Sequence, residues 1–243
     1  MSNTKEQITI LQLYPKDMNI YGDNGNILVL KQRLKWRGVE AVVIPYNIGD
    51  TLPESVDIVV GGGGQDSGQE KVHEDLLAIG PTLRQWADGG TPMLVICGLY
   101  QLFGHFFETL NGQRIDGIGL LDIQTYATNE RLIGNIITHN DTFSMILGYE
   151  NHSGQTFLGK NAQPLASVIK GAGNNSRDAH EGARYENIIG TYLHGSLLPK
   201  NPSIADFLIE TACERKGIKL GAPNAIDDSF ANLARVVAER RPR

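Results

Sequence analysis

Met93-Leu94-Val95-Ile96-Cys97-Gly98-Leu99-Tyr100-Gln101 decides how this sequence folds. The run before the cysteine is short, wholly apolar and without a polar face, so it reads as a strand buried on both sides. Cys97-Gly98 then marks a turn from that strand into a helix. Upstream, Asp57-Ile58-Val59-Val60 runs in the same way straight into Gly61-Gly62-Gly63-Gly64. Ile8 to Leu13 and Ala41 to Pro45 read as two further strands. Helical spacing covers Ile27 to Leu34, ending near Gly38, and about Gln69 to Trp86, closing at Asp88-Gly89-Gly90. Short apolar strands alternating with helices predict an α/β chain with a mostly parallel sheet covered on both faces. Ligands in such sheets bind at the carboxyl ends of the strands. Gly61–Gly64 and Cys97 both fall on that edge.

The second half is richer in strands, with Leu120 to Tyr126, Leu132 to Ile137, Ser144 to Tyr149, Leu165 to Ile169 and Ile188 to Leu193 as the expected segments. Pro202 to Lys216 and roughly Ser229 to Arg240 read as helices. There is no repeat, low-complexity segment or convincing linker. The expectation is one domain over residues 1–243, with a core over about 8–216 and a C-terminal helical extension over about 217–243.

With 41% hydrophobic and 20% charged residues the chain can bury a sizeable core. The net charge of -5 argues against a nucleic-acid partner. Basic residues gather only near the end, at Arg235 and in Glu239-Arg240-Arg241-Pro242-Arg243. That tail reads as a solvated chain end, with an acidic surface as the alternative. The 2 cysteines are far apart, which is no disulfide framework and fits a reducing compartment. No signal-like apolar core opens the chain, and no run approaches the roughly 18 apolar residues of a spanning helix. The protein reads as soluble and cytoplasmic.

Cys97 sits where the next helix N-terminus would favour a thiolate, and the thiolate is the nucleophilic form. Gly98 permits a tight turn and offers an N–H to a developing oxyanion. The bland alternative is a small hydrophobe at the end of a core strand. The strict elbow pattern wants glycine two residues before the nucleophile, where Val95 stands. Cys213, mid-helix among Ile209, Glu210 and Arg215, reads as structural. The glycine run fails as a phosphate cradle, because Gln69 stands where a P-loop needs lysine and Ser67 where the dinucleotide pattern needs glycine. It either lets a helix pack close to the sheet or, with Gly63 and Gly64, supplies the rest of an oxyanion hole. Of the 6 histidines, His194 alone ends an apolar strand and is followed by Gly195, the placement Cys97 has. That singles it out as the acid and base for Cys97. No His, Cys or acidic residues stand at familiar metal-site spacing, so no metal is expected.

The glycine run, Cys97-Gly98-Leu99-Tyr100-Gln101 and the late His194-Gly195 together resemble a class I glutamine amidotransferase domain, of the branch related to cobyric acid synthases. Three more stretches are similar to the GatD-type glutaminase subunits of lipid II isoglutaminyl synthase. They are Asn19-Ile20-Tyr21-Gly22-Asp23-Asn24-Gly25-Asn26, Arg131-Leu132-Ile133-Gly134-Asn135, and the run from Tyr192-Leu193-His194-Gly195-Ser196 to Pro202. The match covers nearly the whole chain. The resemblance implies a flavodoxin-like fold and Cys97 and His194 as the catalytic pair. It implies Arg131 as a ligand of substrate L-glutamine, through the α-carboxylate, with Gln101 and Gln65 as lesser contacts near it.

Many triad amidotransferases carry glutamate two residues after the histidine, where this chain has Ser196. The enzyme is therefore expected either to work as a dyad or to borrow a carboxylate from a partner. The second is favoured, since an incomplete triad would keep idle hydrolysis low. Amide synthesis also needs an activated carboxylate, and no ATP site is visible, so no cofactor is expected in this chain. The resemblance implies a heterodimer with a Mur-ligase-like, MurT-type synthetase subunit that holds ATP and Mg and amidates the D-glutamate of lipid II to D-isoglutamine. The rivals are a glutaminase serving a cobyrinate-type amidation, a cysteine hydrolase without glutamine specificity, and a non-catalytic regulatory module.

Overall fold

The computed structural model describes residues 6–220 and 226–242; residues 1–5 and Arg243 of the basic tail lie outside it, as do 221–225. In the first half the apolar runs form β1 (Gln7–Leu13), β2 (Glu40–Tyr46), β3 (Ile58–Gly61) and β4 (Met93–Ile96). The helices α1 (Asn24–Trp36), α2 (Asp66–Asp88) and α3 (Gly98–Leu102) follow β1, β3 and β4. Then come β5 (Phe106–Glu108), β6 (Arg114–Asp116), β7 (Ile123–Asn140), β8 (Ser144–Leu158), β9 (Ala166–Lys170), β10 (His180–Glu181), β11 (Ala183–Tyr185) and β12 (Ile188–Thr191). The helices α4 (Pro202–Lys216) and α5 (Ser229–Glu239) close the chain. Helix α2 starts three residues before the expected point because Asp66 opens it, a carboxylate at the positive end of the helix.

One sheet runs in the order β11-β12-β4-β3-β1-β2, all parallel except the edge pair β11–β12. From the centre, β1 leads outward to β2 and β3 leads the other way to β4. Right-handed crossovers therefore put α1 and α2 on opposite faces, as in a flavodoxin-like sheet. The second half builds a separate, mainly antiparallel sheet, β10-β9-β7-β5-β6 with β8 on β7. The two strands expected at Leu120–Tyr126 and Leu132–Ile137 are one strand, β7, whose register against β8 shifts between Ala127 and Leu132. The polar Thr128-Asn129-Glu130 there breaks the apolar alternation without ending the strand, which is what a bulge does. An isolated bridge, Tyr149 to His194, joins β8 to the end of the parallel sheet.

Val95, the residue that departs from the elbow pattern, pairs with Gly61 on β3 and Gly190 on β12. A Cβ at Gly190 would enter the Tyr100 ring, and one at Gly61 would meet the Leu99 side chain. The room that a glycine two residues earlier would make beside Cys97 is thus made on the two flanking strands, where the side chains of α3 lie. Cys213 is buried in α4 and burial pushes its thiol up to about 11, in keeping with a structural role. Both cysteines are free. Among the described residues no helix is long and apolar enough to cross a membrane.

Gly190→Ala is expected to destabilise the fold by about 1–3 kcal/mol through overpacking against Tyr100. Urea unfolding would register a lower midpoint with an unchanged slope.

Candidate active site

Cys97 occupies the turn between β4 and α3 at φ 50 and ψ −105, a backbone conformation that L-residues rarely adopt. Such strain costs on the order of 1–3 kcal/mol and persists only where its surroundings hold it. They do so here: the Cys97 N–H donates to Thr191 O at 2.8 Å and the Gln101 N–H to Cys97 O at 2.9 Å. Two glycines pack into the turn. A Cβ on Gly98 would lie 3.0 Å from the Gly64 nitrogen, and one on Gly63 would lie 3.0 Å from Cys97 Cβ and 2.9 Å from His194 Cε1. Cys97 and His194 can therefore share one small space only because residue 63 has no side chain. The glycine loop also has a further user. The Gly63 N–H donates to Asp23 Oδ2 at 2.7 Å. Of the three glycines expected to form an oxyanion hole, Gly63 is thus engaged elsewhere. The N–H groups of Gly64 and Gly98 carry no hydrogen bond among the described residues.

His194 is fully buried just beyond β12, its backbone paired with Tyr149: the His194 N–H donates to Tyr149 O at 2.9 Å. The Tyr21 ring packs edge-on against its imidazole at 4.8 Å. Asp23, 4% exposed, brings Oδ1 to 3.5 Å from His194 Nδ1. Burial alone would lower the imidazole pKa, but Cys97 and Asp23 outweigh it and push it up to about 10. The expectation that no acid in the chain stands by His194 is thus corrected, since it looked only along the sequence near the histidine. The acid comes from the opposite end of the chain, in the loop between β1 and α1. Ser196, where glutamate was sought, joins that loop to the histidine: its hydroxyl donates to Gly22 O at 2.6 Å. A Cβ on Gly25 would collide with the same hydroxyl. A glutamate at 196 would have to push these touching segments away from each other.

A pocket of about 390 Å³ opens beside Cys97 and is lined by Gly64, Gln65, Gln101, Arg131, Asn151 and Tyr21, among others. The fold thus brings Cys97 together with all three residues expected to meet a substrate. Arg131 reaches it from the bulged part of β7, donating from Nε to Asn151 Oδ1 at 2.8 Å and from a terminal nitrogen to the Tyr21 hydroxyl at 3.4 Å. The Asn151 amide also donates to that hydroxyl, at 2.7 Å. Gln101 Nε2 donates to the Tyr192 hydroxyl at 2.9 Å, leaving its buried Oε1 without a partner among the described residues. Gln65 is exposed at the start of α2. This chemistry suits a small carboxylate-bearing ligand, with the Arg131 guanidinium on one wall of the pocket and the Cys97 thiol on another.

The other histidines do not serve Cys97. His152 does line the pocket, but its ring stacks on Tyr192 at 3.6 Å. Burial pushes its pKa down to about 3, so it is a neutral wall. His73 and His105 face Glu70 and Asp122, while His139 and His180 lie near Asp141 and Asp178. Glu181, buried on β10, holds the strand that carries His194 through the Thr191 hydroxyl and the Tyr192 N–H, each at 2.8 Å. Burial pushes its carboxyl up to about 7. Sequence reasoning missed Asp23, Tyr21, Asn151 and His152. Tyr21 and Asp23 lay in a family-like motif whose residues had no assigned task, and Asn151 and His152 carried no local signal. Among the described residues no group of three or more His, Cys, Asp or Glu could hold a metal ion.

A family model described as a CobB/CobQ-like glutamine amidotransferase domain matches residues 9–202. The GatD subunit of lipid II isoglutaminyl synthase (glutamine-hydrolyzing) from Staphylococcus aureus (strain N315) is 40% identical over 95% of this chain and 94% of its own length. The corresponding subunit from Streptococcus pneumoniae (strain ATCC BAA-255 / R6) is 39% identical over 88% of this chain and 84% of its own length. Among solved structures, PurLQS from Thermotoga maritima superposes with a TM-score of 0.58 over 87% of this chain and 99% of that one. At 13% identity that likeness shows the fold alone.

Gly63→Ala is expected to separate Cys97 from His194 and slow alkylation of Cys97 by iodoacetamide on the order of 100-fold. Asp23→Asn removes a charge that favours the imidazolium. The titration midpoint of the His194 Cε1–H signal, followed by NMR, is expected to move down from about 10 toward the ordinary imidazole range.

Proposed function

Because this chain belongs to the CobB/CobQ-like glutamine amidotransferase family, we propose that it hydrolyses L-glutamine at Cys97 and passes the ammonia to a synthetase subunit. The observation that carries the reading is the pairing of Cys97, on a strained turn, with a buried His194 whose pKa is pushed up to about 10. Such an imidazole holds its proton at neutral pH and can give it to a leaving group.

In this reading the Arg131 fork holds the α-carboxylate of glutamine, assisted by Asn151, with Gln101 a lesser contact beside it. Gln65 closes the open side. The Cys97 Sγ attacks the side-chain amide carbon, and the carbonyl electron pair moves to oxygen as an oxyanion. The Gly64 and Gly98 N–H groups face that oxygen. His194 gives its proton to the amide nitrogen, the C–N bond breaks, and ammonia leaves a γ-glutamyl thioester. His194 then accepts a proton from water, which attacks the thioester and frees glutamate and thiolate. Asp23 is a positioning residue for the charged His194. At 3.5 Å it makes no hydrogen bond to Nδ1, a buried nitrogen that has no hydrogen-bond partner among the described residues.

The likeness to GatD subunits over nearly the full length of both chains supports lipid II as the ultimate acceptor. The partner is then a Mur-ligase-like, MurT-type synthetase that binds ATP and Mg and phosphorylates the D-glutamate carboxylate. Ammonia displaces the phosphate to give D-isoglutamine. This chain needs no cofactor of its own for its half of the reaction.

Cys97→Ala in the assembled complex is expected to abolish glutamine-dependent amidation of lipid II while retaining amidation from added ammonium salts. Wild-type activity of that variant with glutamine would overturn the assignment. A diazoketone mimic of glutamine is expected to label wild-type Cys97. If the isolated chain turned over glutamine as fast as the complex, no partner carboxylate would be needed.

A further inference from the structure

Helix α5 is attached to the body by its polar groups, and its apolar side chains face outward. At its foot Asp228 accepts from Arg33 at 2.6 Å, in a network that also joins Asp206 of α4. From its middle Arg235 donates to Lys200 O and Met145 O, both at 2.8 Å. Beyond its end Asn135 Nδ2 donates to Pro242 O at 2.6 Å, and Lys170 Nζ to Arg241 O at 2.8 Å. Meanwhile Phe230 is 82% exposed, Leu233 61%, Val237 47% and Val236 41%. No residue of this helix is buried. A surface helix ordinarily does the reverse and gives its apolar stripe to the core.

The apolar stripe walls a groove of about 520 Å³ whose floor is Gly148, Tyr149 and Gly195. That floor is continuous with the active site. His194 pairs with Tyr149, and Ile133, 48% exposed, stands opposite Asn151, which lines the Cys97 pocket. Strand alternation puts Arg131, Ile133, Asn135, Tyr149 and Asn151 on one face. The surface also has a charge of its own. In a chain of net charge -5, Lys170, Lys200, Arg240 and Arg241 gather at the C-terminal end of α5 beside Glu239, while Asp227 and Asp228 stand at its start.

We propose that the outward face of α5, with the groove beside it, is the docking surface for the synthetase subunit that receives the ammonia, met there by an apolar patch with a carboxylate rim. The inference rests on the glutaminase reading above. A partner seated there would cover the ground between α5 and the Cys97 pocket, where ammonia must leave without meeting water. The concave groove suits inserted side chains, whereas a flat lipid surface would leave it empty. Desolvating the exposed phenylalanine and leucine supplies the apolar centre, and the arginines supply steering that salt should weaken.

The test measures binding of the full chain to the purified Mur-ligase-like synthetase by calorimetry. Phe230→Asp/Leu233→Asp is expected to weaken binding at least about 100-fold. Leu110→Asp, at an equally exposed apolar residue outside α5, is expected to leave it within about two-fold. Arg240→Glu/Arg241→Glu is expected to weaken binding and flatten its salt dependence. Iodoacetamide alkylation of Cys97 in Phe230→Asp/Leu233→Asp at the wild-type rate verifies that its site is intact. Wild-type affinity in that variant would overturn the inference while leaving the glutaminase reading standing. Failure of the wild-type chain to bind the synthetase would instead sink that reading. Two other results would reassign the face and overturn the proposal. One is a wild-type dimer in light scattering that Phe230→Asp/Leu233→Asp dissolves. The other is wild-type binding to phosphatidylglycerol–phosphatidylethanolamine vesicles that the same variant loses.

Discussion

The close approach of the Gly63 loop to Cys97 and His194 is the constraint on which the rest of the site depends. Three strand ends, those of β3, β4 and β12, converge where a single Cβ at residue 63 would touch both Cys97 and His194. The positive φ of Cys97 is held there by a hydrogen bond to Thr191, and Thr191 is in turn held by Glu181. Glycines at 61 and 190 let Leu99 and Tyr100 lie over the flanking strands, so α3 can start at once after the cysteine. Remove that packing and the strained turn has nothing to keep it strained.

The electrostatics follow from the same burial. An imidazole with no exposed surface should lose its proton, because a low-dielectric interior penalises charge. His194 keeps it because Cys97 and Asp23 lie against it, and the balance runs in their favour. His152, nearly as enclosed, goes the other way: burial pushes its pKa down to about 3, the His194 charge adds to that, and its ring stacks on Tyr192. Two buried histidines of one site thus shift in opposite directions, His194 raised by Cys97 and Asp23 and His152 lowered by burial. Ser196 belongs to this arrangement, since its bond to Gly22 fixes the loop that carries Asp23.

The second sheet does two jobs that the parallel sheet cannot do alone. Its bulge at Ala127–Leu132 turns Arg131 into the pocket, and its strand β8 clamps the His194 backbone through Tyr149. The outer face of β7 and β8 then continues to α5, so the pocket mouth and the exposed apolar helix share one surface.

The sequence by itself determined the parallel sheet, since runs such as Met93–Ile96 are too short and too apolar to be anything but buried strands. It also singled out Cys97 and His194, because both end such runs, and strand ends of a parallel sheet lie on one edge. Arg131, Gln101 and Gln65 were legible only through family likeness, and the fold lines one pocket with them. The tertiary structure alone decided which acid stands by His194, because Asp23 reaches it across the whole length of the chain and no local pattern encodes that contact. It alone decided that Gly63 gives its N–H to that acid, and how Val95 is tolerated beside Cys97. The merging of two expected strands into β7 was also beyond the sequence, since a bulge is fixed by the partner strand. So was the outward turn of α5: periodicity gives a helix its apolar stripe, but only long-range bonds from Arg33 and Arg235 decide which way it faces.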